Sequence, residues 1–172
     1  MLSDLSIRSE LPSDSAAVFE VLADSFPTDI EAKLVDELRG VTHPQFSLVA
    51  ESGDLVVGHI LFTPVEIDCP NGPLQGMGLG PLAVRKRYQR QGVGSALVAD
   101  GLSRCRDAGE LVVVVFGHSE YYPRFGFRPG WDRGLYFVTP GPNPAFMVLE
   151  LTAGALPDHC GEVRYHPAIM AL

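Results

Sequence analysis

Residues 80–98 read GPLAVRKRYQRQGVGSALV, and within them the stretch QRQGVGSALV (89–98) decides the fold. A basic run precedes two glycines, Gly92 and Gly94, and an apolar pattern with helical spacing follows them. A helix that begins at such a turn leaves its first amide groups without internal partners, and its dipole places partial positive charge there. Glycine also lets the backbone approach a ligand closely. The stretch therefore predicts a strand, a phosphate-binding turn and a helix.

Three kinds of phosphate-binding turn are rich in glycine. A Walker loop requires a lysine after its final glycine, whereas Ser95 directly follows Gly94 here. A Rossmann turn requires a third glycine at the position that Leu97 occupies. The chain matches instead the pattern Q/R-x-x-G-x-G/A, with Gln89, Gly92 and Gly94 at its fixed positions. The alternative explanation is a helix start whose glycines serve close packing.

Length, composition and charge limit the remaining possibilities. The 172 residues are 46% hydrophobic, which suits one domain with a sizeable core. The formal net charge of -8 argues against a surface for nucleic acid, so the basic run RKRYQR (85–90) indicates a local anion site. The sequence shows neither a membrane span nor a signal-peptide pattern. We therefore expect a cytoplasmic protein without a membrane partner.

The three cysteines are Cys69, Cys105 and Cys160. Their odd number and wide separation fit neither a disulfide framework nor the paired spacing of a zinc site. We expect reduced thiols with a structural role, and no metal.

Hydrophobic periodicity predicts the order of the elements. Two amphipathic helices precede a hairpin, FSLVAESGDLVVGHILFTPVEI (46–67). The segment NGPLQGMG (71–78) is predicted as a loop, and LGPLAV (79–84) as a short strand whose proline indicates a bulge or a sheet edge. The later elements are a helix near 94–109, an apolar and therefore central strand at 111–116, and a strand at 145–151. This order predicts a mixed sheet in an α/β or α+β three-layer domain.

The glycine pattern and its surroundings resemble the GCN5-related N-acetyltransferase (GNAT) family. Residues 80–98 are similar to the strand, loop and helix of that family, and YYPRFGF (121–127) resembles its FYxxxGF element. GHSEYYPRFGF (117–127) and the tail GALPDHCGEVRYHPAI (154–169) are similar to the YhbS-type branch.

The resemblance covers about residues 5–151. It implies a single GNAT domain over residues 1–172, with a C-terminal extension at 152–172. The implied fold is a central mixed, mostly antiparallel sheet flanked by helices.

The resemblance also implies an acetyl-CoA-dependent N-acetyltransferase, an acyltransferase that acetylates a primary amine by direct attack in a ternary complex. Direct transfer is favoured because no cysteine stands at a recognisable nucleophile position. The strand before the loop is expected to present backbone amides to acetyl-CoA, with the Val84 N–H as the candidate contact for the thioester or pantetheine. The residues expected to contact acetyl-CoA are Leu82, Ala83, Val84, Arg85, Gln89, Arg90, Gln91, Gly92, Val93, Gly94 and Ser95.

The proton donor for the departing thiolate is expected to be Tyr122, which matches the family tyrosine with that role. A thiol titrates at about 8.5 and a phenol at about 10, so a nearby phenol can donate its proton as thiolate charge develops. Tyr121 is adjacent and remains an alternative, as does a core role for both tyrosines.

The general base has three candidates. His118 follows the central strand, and histidine titrates near neutral pH. Glu31 lies on a predicted helix and Glu66 on the polar side of a predicted strand. Each also has an ordinary structural explanation as a turn residue or a solvated charge. His59 is expected to be packed or adjacent to the substrate. Trp131 is expected to close part of the core, with a substrate-pocket wall as the alternative.

Two other functions remain open. One is a non-catalytic acyl-CoA-binding regulatory module, and the other is an acyltransferase that uses another acyl donor or a hydroxyl acceptor. The acceptor stays unidentified because this fold builds its acceptor site from variable loops, here at 24–44, 66–78 and 128–145. The tail is compatible with a pocket wall or with a homodimer contact.

Overall fold

The structure is a computed structural model and describes residue 2 and residues 4–171. Its strands are β1 (Leu5–Ser9), β2 (Phe46–Ser52), β3 (Leu55–Ile67), β4 (Leu74–Val84), β5 (Val112–Phe116), β6 (Arg128–Pro129), β7 (Phe146–Glu150) and β8 (Val163–Arg164). Its helices are α1 (Ser15–Ser25), α2 (Ile30–Leu38), α3 (Val93–Asp107) and α4 (Pro167–Met170). Within these residues no helix has the length and apolar character that a membrane crossing requires.

The described strands form one sheet. Their order is β1-β2-β3-β4-β5-β7-β6, and β8 pairs with β3. β4 and β5 run parallel, whereas the other strand pairs are antiparallel. The prediction of a mixed, mostly antiparallel sheet flanked by helices is confirmed.

Helices cover both faces of this sheet. Along β3, Ile60 and Phe62 face α3, whereas Leu61 between them faces α1 and α2. α3 approaches the sheet closely, since a Cβ on Gly101 would lie 2.3 Å from a ring carbon of Phe62. The central strand β3 is therefore buried on both sides, as its apolar sequence requires.

β4 is longer than the sequence pattern indicates. The prediction of a loop over 71–78 is wrong from Leu74 onward, because residues 74–79 pair with β3 and residues 77–79 also pair with β5. Pairing on two sides outweighs the low strand preference of glycine here. The predicted bulge is confirmed, because β4 carries one more residue than β3 at Gly80-Pro81.

The C-terminal extension lies on the face that α1 and α2 cover. β8 pairs Arg164 with Glu66 of β3, and α4 packs against α2. A disulfide joins Cys69, which follows β3, to Cys160. The expectation of reduced thiols is wrong for these two cysteines, because the extension folds back onto β3 and brings together residues 91 positions apart. Cys105 is free and buried.

Trp131 lies on the surface, on a short 3-10 turn after β6, with 41% of the residue exposed. The expectation that it closes the core is therefore wrong. The turn makes its close contact through the preceding residue, since a Cβ on Gly130 would lie 2.9 Å from a ring carbon of Phe146. The glycine, rather than the indole, packs against the core.

Candidate active site

A cleft opens where β4 and β5 separate. The two strands pair from Met77 and Val113 to Leu79 and Val115. Beyond the bulge β4 continues along β3 alone, while β5 ends at Phe116. The edge of β4 over residues 82–84 therefore faces a space that no strand of the described chain fills.

The backbone of Val84 is oriented toward this cleft. The N–H of Arg85 donates to the Val57 carbonyl on β3 at 2.9 Å. Because successive residues of a strand direct their backbone polar groups to opposite edges, those of Val84 point away from β3. The Val84 carbonyl accepts from the Ser25 hydroxyl at 3.0 Å and from the Gln89 amide at 2.9 Å. The N–H of Val84 remains available on the cleft side.

The turn before α3 is shaped to bind an anion. Arg90 and Gly92 both adopt left-handed conformations, with φ of 59° and 90°. The first helical hydrogen bond runs from the Ala96 N–H to the Gly92 carbonyl at 3.0 Å, so the amides of residues 93–95 have no partner within the helix. Three amides without a helical partner at the positive end of a 15-residue helix are an arrangement that favours an anion.

The side chains of the basic run beside this turn point in different directions. The Arg85 guanidinium donates to the Val56 carbonyl at 2.9 Å and pairs with Glu20 on α1 at 3.1 Å, so it is engaged away from the start of α3. Three other members of the run are exposed to solvent beside the turn. They are Lys86, Arg87 and Arg90.

Tyr121 connects the segment after β5 to the glycine turn. Its hydroxyl lies 3.4 Å from the Ser95 Oγ, and a Cβ on Gly94 would lie 3.1 Å from the same hydroxyl. Arg124 stacks over the Tyr121 ring, with its guanidinium carbon 4.5 Å from the ring centroid. Glycine at position 94 therefore leaves room for the phenol as well as for a ligand.

Tyr122 begins the 3-10 turn Tyr122–Phe125 that follows β5, and its ring packs beside the end of that strand. The residue is 6% exposed, and a Cβ on Gly117 would lie 2.3 Å from a carbon of its ring. Burial raises the pKa of its phenol, and the neighbouring Tyr121 adds to the effect. The phenol therefore stays protonated at neutral pH.

The three candidates for the general base occupy different environments. Glu31 lies in the first turn of α2, and its Oε2 is buried without a hydrogen-bond partner among the described residues. His118 is exposed, and its carbonyl accepts the Tyr121 N–H at 3.0 Å. Glu66 pairs with Arg164 at 2.9 Å. Of the three, Glu31 has a buried carboxylate oxygen left open for a ligand.

His59 belongs to a buried polar network and is fully buried, so its expected packed position is confirmed. Its Nε2 lies 2.8 Å from the Ser47 Oγ and 3.6 Å from a Glu10 oxygen. Arg39 donates to Glu10 at 2.7 Å. Burial would raise the pKa of Glu10, but hydrogen bonds from His59, Ser47 and Arg39 outweigh it and lower the pKa to about 2.

The family model described as "Acetyltransferase (GNAT) domain" matches residues 6–130. The chain belongs to the GNAT family. It is 37% identical to the uncharacterized N-acetyltransferase YhbS of Escherichia coli K12 over 161 residues, which cover 93% of this chain and 95% of YhbS. It is also 38% identical over 153 residues to YjhQ of the same organism, with 82% of this chain and 81% of YjhQ covered.

Two solved GNAT structures are similar to this chain over most of its length. The crystal structure of E. coli YhbS in complex with CoA gives a TM-score of 0.88 at 36% identity and covers 97% of this chain and 92% of that one. A GNAT acetyltransferase from Brucella melitensis in complex with acetyl-CoA gives 0.77 at 32% identity, covering 96% and 97%. The predicted fold and the prediction of a GNAT acyltransferase are confirmed.

The GNAT fold brings most of the predicted site residues to one cleft. Residues 82–84, the turn at 89–92, the amides of 93–95 and Tyr122 lie around it, whereas Glu66 lies at the far end of β3. The sequence did not reveal the contact of Tyr121 with α3, because adjacent tyrosines carry no sign of which one faces the helix. Within the described residues, no group of three or more His, Cys, Asp or Glu side chains is placed to hold a metal ion.

Proposed function

We propose that the protein transfers the acetyl group of acetyl-CoA to a primary amine by direct attack in a ternary complex. The observation that carries the proposal is the row of free amides at residues 93–95, beside a cleft that opens between β4 and β5. A pyrophosphate suits the amides, because a helix N-terminus favours anions. The extended pantetheine chain of acetyl-CoA suits the cleft. The similar proteins from E. coli and B. melitensis were solved with CoA and acetyl-CoA.

The cofactor-holding residues divide into backbone and side-chain groups. The amides of Val93, Gly94 and Ser95 would hold the pyrophosphate, and the exposed Arg87 and Arg90 would supply positive charge beside it. The Val84 N–H would hold the pantetheine or thioester. The Gln89 side chain positions the strand, because its amide donates a hydrogen bond to the Val84 carbonyl and keeps the end of β4 beside the turn.

The chemistry removes two protons from the acceptor ammonium and delivers one to the departing sulfur, and acetyl-CoA supplies the activated acyl group as a thioester. Glu31 accepts a proton from the acceptor ammonium, since its buried Oε2 has no hydrogen-bond partner among the described residues. As the nitrogen–carbon bond forms and the carbon–sulfur bond breaks, Tyr122 donates its proton to the departing sulfur and regains one from the acceptor nitrogen, which leaves the amide product with a single N–H proton. The raised pKa of Tyr122 keeps that proton in place until thiolate charge develops.

Calorimetric titration with acetyl-CoA tests the proposal, with CoA, NAD and ATP as comparison ligands. We expect acetyl-CoA and CoA to bind and NAD and ATP not to bind, and we expect added amines to release free thiol from acetyl-CoA. Binding without transfer to any amine would favour the regulatory module instead. A folded protein that binds no CoA would refute the assignment of the glycine turn.

A further inference from the structure

The last turn of α1 lies beside the end of β4 and contacts it through two side chains. Beyond the bulge β4 pairs with β3 alone, so its outer edge has no strand neighbour among the described residues. The Ser25 hydroxyl lies 3.0 Å from the Val84 carbonyl oxygen at this edge. The Asp24 carboxylate accepts the Lys86 N–H at 2.8 Å. α1 therefore contacts the segment 84–86, which joins the cleft to the glycine turn.

The Val84 carbonyl is held by side-chain donors from two different elements. The Gln89 amide donates to it at 2.9 Å. The Ser25 hydroxyl shares its proton between this oxygen and the Val21 carbonyl oxygen, which lies 2.6 Å away. The carbonyl and the N–H of Val84 point to the same edge of β4. A carbonyl without these donors would repel the carbonyl oxygen of a thioester held by the neighbouring N–H.

Asp24 does not stabilise its own helix. The last turn of α1, LADS (22–25), contains no basic residue, and a carboxylate there meets the negative end of the helix dipole. The first hydrogen bond of the 3-10 turn that follows β4 runs from the Tyr88 N–H to the Arg85 carbonyl at 2.8 Å. The Lys86 N–H precedes that bond and is paired with Asp24 instead. The carboxylate therefore fixes the segment between β4 and the glycine turn.

α1 is a rigid support for these contacts. Its residues Val18, Val21 and Leu22 are fully buried in the cluster that the helix forms with α2 and the sheet. The connection 26–29 then leads to α2, whose first turn carries Glu31. The same helix therefore sets the place of the end of β4 and of the candidate base, and a packed element holds such geometry precisely.

We propose that Ser25 and Asp24 are positioning residues for acetyl transfer. They hold the end of β4 so that the Val84 N–H faces the thioester or pantetheine of acetyl-CoA while the Val84 carbonyl stays engaged. Both act through the backbone of residues 84–86. A displacement of about 1 Å at such a position can lower a rate about 100-fold. The inference rests on the proposed acetyl transfer and adds the residues that align the acetyl donor.

Amide hydrogen exchange of Val84, measured by NMR with and without acetyl-CoA, tests the inference. Saturating acetyl-CoA should slow this exchange in the native protein, because the amide is open on the cleft side. The slowing should be about fivefold to tenfold smaller in Ser25→Ala and in Asp24→Ala, since each loses a hydrogen bond that holds the segment. The Kd for CoA should stay within about twofold of the native value, because the amides of residues 93–95 are unchanged.

Conservative variants and turnover separate positioning from a structural role. Ser25→Thr keeps a hydroxyl and Asp24→Asn keeps an acceptor oxygen, so both should restore the native slowing. Ser103→Ala, at an exposed position of α3, is the matched control and should behave as the native protein does. With the primary amine that the native protein acetylates fastest, both alanine variants should lower kcat about fivefold to tenfold and change the KM for acetyl-CoA less than about twofold.

Several outcomes would overturn the inference. They are native slowing of Val84 exchange in both alanine variants, an equal deficit in Ser25→Thr and Asp24→Asn, and an unchanged kcat together with a raised Kd for CoA. Acetyl-CoA that binds the native protein without slowing Val84 exchange would also refute it. Each of these results leaves the proposed function intact, whereas failure of the native protein to bind acetyl-CoA would count against that function itself.

Discussion

The hydroxyl oxygen of Tyr121 lies 3.4 Å from the Oγ of Ser95, which joins the segment after β5 to the first turn of α3. The next residue, Tyr122, instead packs its ring on Gly117 at the end of β5. Two consecutive tyrosines therefore face different parts of the cleft. Tyr121 borders the glycine turn, and Tyr122 borders the place where the strands separate.

Gly94→Glu should weaken acetyl-CoA binding by about 100-fold, because it adds bulk against Tyr121 and a negative charge where the helix favours an anion. Calorimetric titration measures the effect. Ala99→Glu adds the same charge to an exposed position of the same helix and should leave the Kd within about twofold. Equal weakening in both variants would mean that overall charge, and not the turn, controls binding.

Tyr122→Phe should lower kcat by about 100-fold, the usual loss when a general acid is removed. The Kd for acetyl-CoA should hardly change, because the ring and its packing remain. Tyr121→Phe is the matched control and should retain most of kcat. The raised pKa of Tyr122 keeps the acid protonated to higher pH than an ordinary phenol, so deprotonation of this residue should cause no loss of kcat between about pH 8 and 10. An unchanged kcat in Tyr122→Phe would remove this residue from the mechanism.

Glu31→Gln should lower kcat/KM at pH 7 by about 100-fold, because the acceptor ammonium loses its base. The loss should shrink as the pH rises, since more of the amine is then deprotonated in solution. Steady-state rates across a pH series measure both effects. Glu37→Gln on the same helix should behave as the native protein does, and a deficit in Glu31→Gln that is independent of pH would argue for a structural role.

The buried network around Glu10 should make the free energy of unfolding depend on pH in the acidic range. The pKa of Glu10 is about 2 in the folded chain against an ordinary value of 4.5, so its contribution is present above about pH 4.5 and is lost as the pH falls toward 2. The shift corresponds to about 3 kcal/mol of unfolding free energy. Urea unfolding from pH 7 to pH 3 should show a smaller acid loss for Glu10→Gln than for the native chain. An equal loss of unfolding free energy in Glu10→Gln and the native chain would contradict the prediction.

The disulfide between Cys69 and Cys160 should be visible in thiol counts. The native protein should show almost no reactive thiol, because burial raises the pKa of Cys105 to about 12. Denaturation should expose one thiol, and denaturation with reductant should expose three. Because closing a loop of about this length contributes roughly 4.6 kcal/mol in the chain-entropy model, reductant should lower the Tm of the native chain. Reductant should not change the Tm of Cys69→Ser. An equal Tm of the native chain with and without reductant would contradict the pairing of Cys69 with Cys160.

The glycine turn was determined by the sequence itself. Gln89, Gly92 and Gly94 lie within six positions, and a turn that leads into a helix depends on neighbours at that range. Periodicity likewise predicted α3 and the buried strand β5, because alternation and helical spacing are properties of consecutive residues. The bulge at Gly80-Pro81 followed from the missing N–H of proline.

Contacts between distant segments were decided by the tertiary structure alone. Periodicity reports that a residue is buried but does not identify its partner, so it did not pair Cys69 with Cys160, or direct Tyr121 to Ser95. The sequence did not reveal the beginning of β4 for the same reason, because Gly76 becomes strand through pairing with β3, and Gly78 through pairing with both β3 and β5. The C-terminal extension folds back across the sheet and pairs with β3, and that return depends on the packing of the whole domain.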